Sequence, residues 1–257
     1  MNPSLVGSEM CIRDSFSLTP IVFILIMAMI ATPLINWGTN QIKSLIKKLY
    51  KPILSSLIII FSMSLYFNKL FMTEISLLIL CTILMLTNLN SNVLFKNNSY
   101  YLSSNIGRAL THAGFGLLII AVIANSSYAA EKVTQAKVND KITLGNYDFL
   151  FSSISQNKEK NYHSIIANFE MQQHGGTLKR LAPEIRFYDN PPTITSETSI
   201  VRMFFKDIYI VMNVPENQEF INVRIHIKPF MSFIWLSVLM MMLGGFLSII
   251  LKKKSLK

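Results

Sequence analysis

The apolar positions of this chain follow two different patterns. Five long apolar stretches run over residues 18–35, 52–67, 70–89, 106–124 and 229–251. A helix rises 1.5 Å per residue, so about 20 apolar residues cross the hydrocarbon of a bilayer, and these stretches predict transmembrane helices. The second is the weakest, being short and carrying Ser55, Ser56, Ser62 and Ser64. After the fourth stretch the period changes. Short runs at 141–144, 147–154, 163–169, 184–188, 208–214 and 220–227 alternate or carry β-branched and aromatic residues, as half-buried strands do. Leu144-Gly-Asn-Tyr147 and Gln173-His-Gly-Gly176 read as turns, and the paired prolines of Asp189-Asn-Pro-Pro192 cannot donate to a ladder. No internal repeat is visible.

The expected fold is therefore a polytopic α-helical membrane protein. A β-rich extracytoplasmic domain, residues 125–228, is inserted between the last two transmembrane helices as a small antiparallel sandwich or partly open barrel. Residues 16–124 hold four helices, 229–251 the last one and 252–257 a tail. Pro229 stands where the first turn of a helix tolerates proline.

Composition supports a membrane assignment, since 51% of the 257 residues are hydrophobic. The formal charge of +10 first suggests nucleic acid, but its distribution argues against that. Lys43, Lys47, Lys48 and Lys51 lie between the first two spans, Lys96 and Arg108 between the third and fourth, and Lys252, Lys253, Lys254 and Lys257 after the fifth. No acidic residue stands among these, and the loop between spans two and three carries only Lys69. By the positive-inside rule, spans one, three and five enter from outside and the C-terminus is cytoplasmic. The external segment holds twelve basic and eleven acidic residues, which nearly cancel.

The first fifteen residues, Met1 to Ser15, lack the basic, apolar and small-residue layout of a signal peptide. They resemble a translated sequencing adapter, so the expectation is that they are foreign and that the authentic N-terminal part is missing. Cys11 falls in that stretch and Cys81 in the third span, so the external segment has no thiol and no disulfide framework. Cys81 reads as a small buried apolar residue.

The candidate chemistry centres on His112, in the run Arg108-Ala-Leu-Thr-His-Ala-Gly-Phe-Gly. An ionisable side chain at membrane depth is costly and is retained for a ligand, a proton path or a buried partner. Neutral imidazole is also a common axial ligand of haem iron. Arg108 and Gly116 share the face of His112, with Gly114 nearby, so small residues would admit a ring edge and the arginine could meet a propionate. Arg108 reads as a topogenic anchor ahead of a propionate partner; equally, His112 could bond a neighbouring helix and the glycines could serve helix packing. These two readings stand level.

The other candidates read as structural. His163, His174 and His226 have no metal-ligand spacing; His226 reads as an exposed strand residue. Glu74 near a span end reads as interfacial, and Trp37 and Trp235 as belt anchors. Arg186, Tyr188, Asp207 and Tyr209 would build either a buried network or a docking surface. No hydrolytic triad, phosphate-binding loop or Cys-x-x-Cys is present, so no catalytic residue is assigned and the chain does not declare itself an enzyme.

Taken in order, Thr111-His112-Ala-Gly-Phe-Gly, the β-segment and Lys228-Pro-Phe-Met-Ser-Phe-Ile-Trp resemble the C-terminal part of the cytochrome c maturation protein F family. Further resemblance lies in Leu144-Gly-Asn-Tyr, Asn161-Tyr162, Pro183-Glu-Ile-Arg-Phe-Tyr188, Phe205-Lys-Asp-Ile-Tyr209, Leu243-Gly-Gly-Phe-Leu247 and Pro33-Leu-Ile-Asn-Trp-Gly38. The resemblance implies a haem lyase subunit in the bacterial inner membrane that assists covalent haem attachment to apocytochrome c. It implies a haem chaperone, other maturation subunits and membrane lipid as partners, and a permanent haem b with His112 as an axial iron ligand. The family's tryptophan-rich segment, its flanking histidines and the other membrane histidine have no counterpart in this sequence. A fragment inactive by itself is the expectation; the alternative is a non-catalytic membrane-anchored docking module without haem. A transporter with Glu74 and His112 in a proton path is a third, weaker reading.

Overall fold

The structure, a computed structural model, describes residues 19–32, 42–66, 72–89, 99–173, 176–213 and 220–254. The stretch Met1 to Ser15, Trp37, Lys69, Lys96, His174 and Lys257 lie outside these residues. Two compact units divide the chain: a helical one, Met1–Ile123 with Phe233–Lys257, and a β-rich one, Ala124–Ser232.

In the helical unit, α1 (Thr19–Ala31), α2 (Ile42–Tyr66), α3 (Met72–Leu89) and α4 (Ser99–Tyr128) precede the β-rich segment, and α5 (Met231–Lys254) follows it. Ile26, Ile30, Cys81, Ile83 and Leu84 form a buried cluster, onto which Leu49, Phe115, Ile119 and Ile120 pack. Thus α1 to α4 share one apolar centre. Thr82, Thr87, Ser237 and Ser248 return their hydroxyls to carbonyls three or four residues back, which satisfies them without a partner helix. Among the described residues, Ile106–Tyr128 and Met231–Ile250 have the length and apolarity of membrane spans. Thr19–Ala31, Leu49–Ile59 and Met72–Asn88 are shorter apolar helices, where the sequence pattern predicts three further spans. The helix α2 shows why: it starts at Ile42, within a lysine-rich stretch, and carries Pro52 internally, so only its later part is continuously apolar.

Among the described residues the β-rich unit holds ten strands: β1 (Ala130–Ala136), β2 (Lys141–Leu144), β3 (Tyr147–Lys158), β4 (Tyr162–Gln173), β5 (Lys179–Leu181), β6 (Glu184–Asp189), β7 (Pro192–Glu197), β8 (Ser199–Arg202), β9 (Lys206–Met212) and β10 (Ile221–Pro229). One sheet has the order β1-β10-β9-β8, the other β2-β3-β4-β6-β7 with β5 beside β4, and every pairing is antiparallel. Of the two β-architectures the sequence leaves open, this is the sandwich. Side chains alternate faces along a strand, so Ile208, Ile210 and Met212 of β9 and Val223 and Ile225 of β10 line one inner face. Phe149 and Phe151 of β3, Phe169 and Met171 of β4 and Ile185 of β6 line the other, and together they form one core. Phe151 and Phe169 stack with ring centroids 4.7 Å apart. The register slips between Phe151 and Ser153, and the extra residue, Ser152, donates its hydroxyl to Asn168 O at 2.9 Å. The β2–β3 turn needs a left-handed residue and uses Gly145, with φ of 59°.

Candidate functional site

His112 lies midway along α4, half-buried, in the stripe Arg108, His112, Phe115, Ile119. Phe115 and Ile119 pack onto the α1–α3 cluster, so this stripe faces α1 and α3. His112 Nδ1 and Arg108 Nε are both buried and have no hydrogen-bond partner among the described residues.

The register between α3 and α4 adds a residue that sequence reasoning missed. Gly116 lies against Cys81, Leu84 and Met85, and Ile123 clusters with Leu78, so the two helices run antiparallel. One turn further along, His112 comes level with residues 87–88. Asn88 belongs to the α3 stripe of Cys81 and Met85, is fully buried and donates from Nδ2 to Leu84 O at 2.9 Å. Its Oδ1 is buried and has no partner among the described residues. Three orphaned polar atoms, on Asn88, Arg108 and His112, therefore gather at one end of the α3–α4 pair. Each such atom costs about 1–3 kcal/mol when buried, which calls for an occupant or a function. In sequence, Asn88 looks like an ordinary polar residue closing an apolar run.

The glycines resolve differently from the ring-edge expectation. A Cβ on Gly114 would stand 2.9 Å from Ser237 O and Met241 Cγ of α5, and one on Gly116 would stand 3.1 Å from Met85 Cγ. Gly107 lies against Gly244 O, where a Cβ would stand at 2.7 Å. The space at these glycines is filled by close helix packing, leaving none for a flat ligand there. Glu74 sits in the first turn of α3, where a carboxylate complements the helix dipole. It is about 20 Å along the helix from the level of His112, at 1.5 Å per residue, so the structure does not bring the two together. Cys81 is buried in the apolar cluster.

In the β-rich unit, His163 is exposed and stacks on Phe187 at 5.0 Å. His226 corrects the sequence reading: only 8% of it is exposed. Its outward face is covered by Tyr209, stacked at 4.5 Å, and its Nδ1 lies 3.5 Å from Glu131 Oε2. Burial lowers its pKa; Glu131 opposes this, while Lys228 and Arg224 reinforce it. Arg186 pairs with Glu184, stands 3.8 Å from Glu197 and lies 5.0 Å over the Tyr162 ring. Hydrogen bonding to Tyr188, then to Glu184, holds its pKa up. Arg186 and Tyr188 belong to one sheet, Asp207 and Tyr209 to the other, and Asp207 Oδ1 is buried with no hydrogen-bond partner among the described residues, so the four do not form one network. Among the described residues no group of three or more His, Cys, Asp or Glu side chains is placed to hold a metal ion.

Fold and site together define a class: an antiparallel β-sandwich carried between apolar helices, one of which holds a histidine with an unsatisfied nitrogen. Residues 127–229 match the family model described as the CcmF C-terminal beta-sandwich. The chain is similar to the C-terminal part of CcmF-type proteins, and its β-rich segment carries the match to the family model. It is 31% identical over 142 residues to the cytochrome c-type biogenesis protein CcmF of Pseudomonas aeruginosa, covering 55% of this chain and 22% of that protein. CcmF of Escherichia coli is 24% identical over 217 residues, covering 84% of this chain and 34% of the relative. The chain thus spans only 22% and 34% of these relatives' lengths. A solved structure titled Cytochrome c Heme Lyase CcmF superposes with a TM-score of 0.66 at 14% identity, covering 91% of this chain and 39% of that one. At that identity the likeness is one of fold.

Proposed function

We propose that this chain acts in a membrane-bound haem lyase of cytochrome c biogenesis, with His112 an axial ligand of a b-type haem. The observation that carries the reading is the buried His112 Nδ1, which has no partner among the described residues and stands with two further such polar atoms in an apolar helical unit, in a chain similar to CcmF. The residues fit the group in part. His112 would bind iron through Nε2 while Nδ1–H turns to Asn88 Oδ1, the outer hydrogen bond that fixes the tautomer of metal-bound histidines. Arg108, one turn away, would meet a propionate. The ring edge does not enter at Gly114 or Gly116, which α5 and α3 occupy. His112 is the one histidine of the helical unit, so a second imidazole ligand comes from elsewhere.

A b-type haem held by His112 would supply one-electron redox chemistry, suited to reducing the iron of a haem being attached. The helices lie in a bacterial inner membrane with the C-terminus cytoplasmic and residues 125–228 outside. Large apolar side chains exposed along α5, among them Leu239, Met242, Phe246 and Ile249, support this placement. The β-sandwich then meets apocytochrome c, a haem chaperone and other maturation subunits on the external side.

The test is the absorbance of protein purified from haem-replete membranes. A low-spin b-type spectrum that is lost in His112→Ala is the expected result. Unchanged haem content and unchanged cytochrome c maturation in the variant would overturn the ligand role. The competing reading, a docking module without haem, is favoured by the engagement of the glycines in helix packing and predicts no b-type spectrum in either protein.

A further inference from the structure

The turn between β8 and β9 is the least expected surface of the sandwich. It reads Met203-Phe204-Phe205, and Met203 N donates to Lys206 O at 2.9 Å to close it. Turns favour Gly, Pro, Asn, Asp and Ser, yet this tip presents two adjacent phenyl rings, 72% and 58% exposed, in an edge-to-face pair at 4.8 Å. Its position in the unit explains the composition. Phe230 N donates to Phe205 O at 2.6 Å, and the Phe205 and Phe230 rings stand 6.5 Å apart. Phe230 takes a left-handed φ of 60° at the bend between β10 and α5, a strained conformation for a bulky residue that the tip helps hold. The next residue, Met231, opens the apolar helix Met231–Ile250. The aromatic tip is therefore pinned to Phe230, the residue immediately before Met231, within the β-rich unit. Behind the rings, on the strands, Arg202 is exposed opposite Asp207, and Lys206 and Lys228 flank the same end.

We infer that Phe204 and Phe205 insert into the headgroup layer of the bilayer that α5 enters. The occupant is lipid because the tip is continuous with the entry point of that helix and carries the aromatic and basic residues of a membrane interface. The sandwich then has a third attachment besides its two flanking helices. This inference rests on α5 spanning the membrane.

Nitroxide-labelled cysteines in the full chain test both statements separately. In a Cys11→Ser, Cys81→Ser background, single sites are introduced as Phe204→Cys, Phe205→Cys, Met240→Cys in mid-α5 and Lys160→Cys in the β3–β4 turn. Lys206 Nζ lies 4.7 Å over the ring of Tyr147, the first residue of β3. At about 3.3 Å per residue, the other end of β3 is about 36 Å from the tip, which makes Lys160 a water-exposed reference. In nanodiscs of phosphatidylcholine and phosphatidylglycerol, oxygen and nickel chelate accessibilities are read by power saturation. The expected result is oxygen-favoured access at 204 and 205, shallower than at 240, and nickel-favoured access at 160. Nickel access at 204 and 205 equal to that at 160, with 240 in lipid, overturns the anchor alone. Low access to both reagents at the tip, the mark of a protein-covered site, also overturns it. A water-exposed 240 overturns the membrane placement of α5 and the anchor with it.

Discussion

Gly244 and Gly245 are neighbours on α5 with opposite surroundings. A Cβ on Gly244 would stand 2.6 Å from Gly107 O and Thr111 N of α4, whereas one on Gly245 meets nothing within 4 Å. The same Cβ would crowd Thr111 Oγ1, but Gly107 O and Thr111 N are backbone atoms that no rotamer change can move. Carbon contacts relax near 3.5 Å, so Gly244→Ala must push the two helix backbones apart by about 1 Å. A gap of that size forfeits about a quarter to a half of the dispersion attraction along the seam. Overpacking of this kind costs about 1–3 kcal/mol. Both substitutions gain about 0.8–1.0 kcal/mol of helix propensity on leaving glycine, so the gain cancels when the variants are compared. Gly245→Ala should therefore be neutral to stabilising, and Gly244→Ala should be less stable than it by about 1–3 kcal/mol. Unfolding of the purified protein by dodecyl sulfate in mixed micelles, followed by far-ultraviolet circular dichroism, reads the difference. Equal midpoints for the two variants, or a lower one for Gly245→Ala, would refute the α4–α5 seam.

Three further outcomes follow from other parts of the structure. Phe151→Ala removes one ring of the stacked pair at the centre of the sandwich and should cost about 3–5 kcal/mol, read as a lowered melting midpoint of the β-rich unit. Because burial depresses the pKa of His226 below its ordinary 6.5, the unfolded chain takes up the proton first as pH falls, so stability is lost below that value and regained above it. A melting midpoint followed from pH 7.5 downward should fall less steeply in His226→Gln, and an unchanged slope would count against burial as the cause. Asn88→Leu removes a buried orphan oxygen and should leave the helical unit as stable or firmer, while b-type haem retention falls about 10- to 100-fold if Asn88 orients His112. Undiminished retention would remove Asn88 from the site.

The alternating runs of β3, β4, β6, β9 and β10 were legible because each buries a dense apolar face. Four other strands, β1, β5, β7 and β8, were not. They are short or edge strands in which few apolar residues mark a face; β7 even opens on Pro192, the second of the paired prolines, directly after the Asn190–Pro191 turn. His226 shows a different limit. Its alternation with Ile225 and Ile227 does place it on the outer face, but an outer face need not be a wet one. Tyr209 and Glu131 reach it from flanking strands that are distant in sequence.

The candidate site divides in the same way. An imidazole in an apolar run is costly wherever the helix packs, so His112 stands out from the sequence alone, as does its helical neighbour Arg108. Periodicity also determines the helical and β-rich segments, since the 3.6- and 2-residue repeats are local properties of the chain. The match of Asn88 to His112, the filling of Gly114 and Gly116 by α5 and α3, and the pairing of the Phe204–Phe205 tip with the start of α5 were decided only in the tertiary structure. Each depends on the register between segments far apart along the chain. That register is set by the summed packing of whole helix and strand faces, which no local pattern encodes.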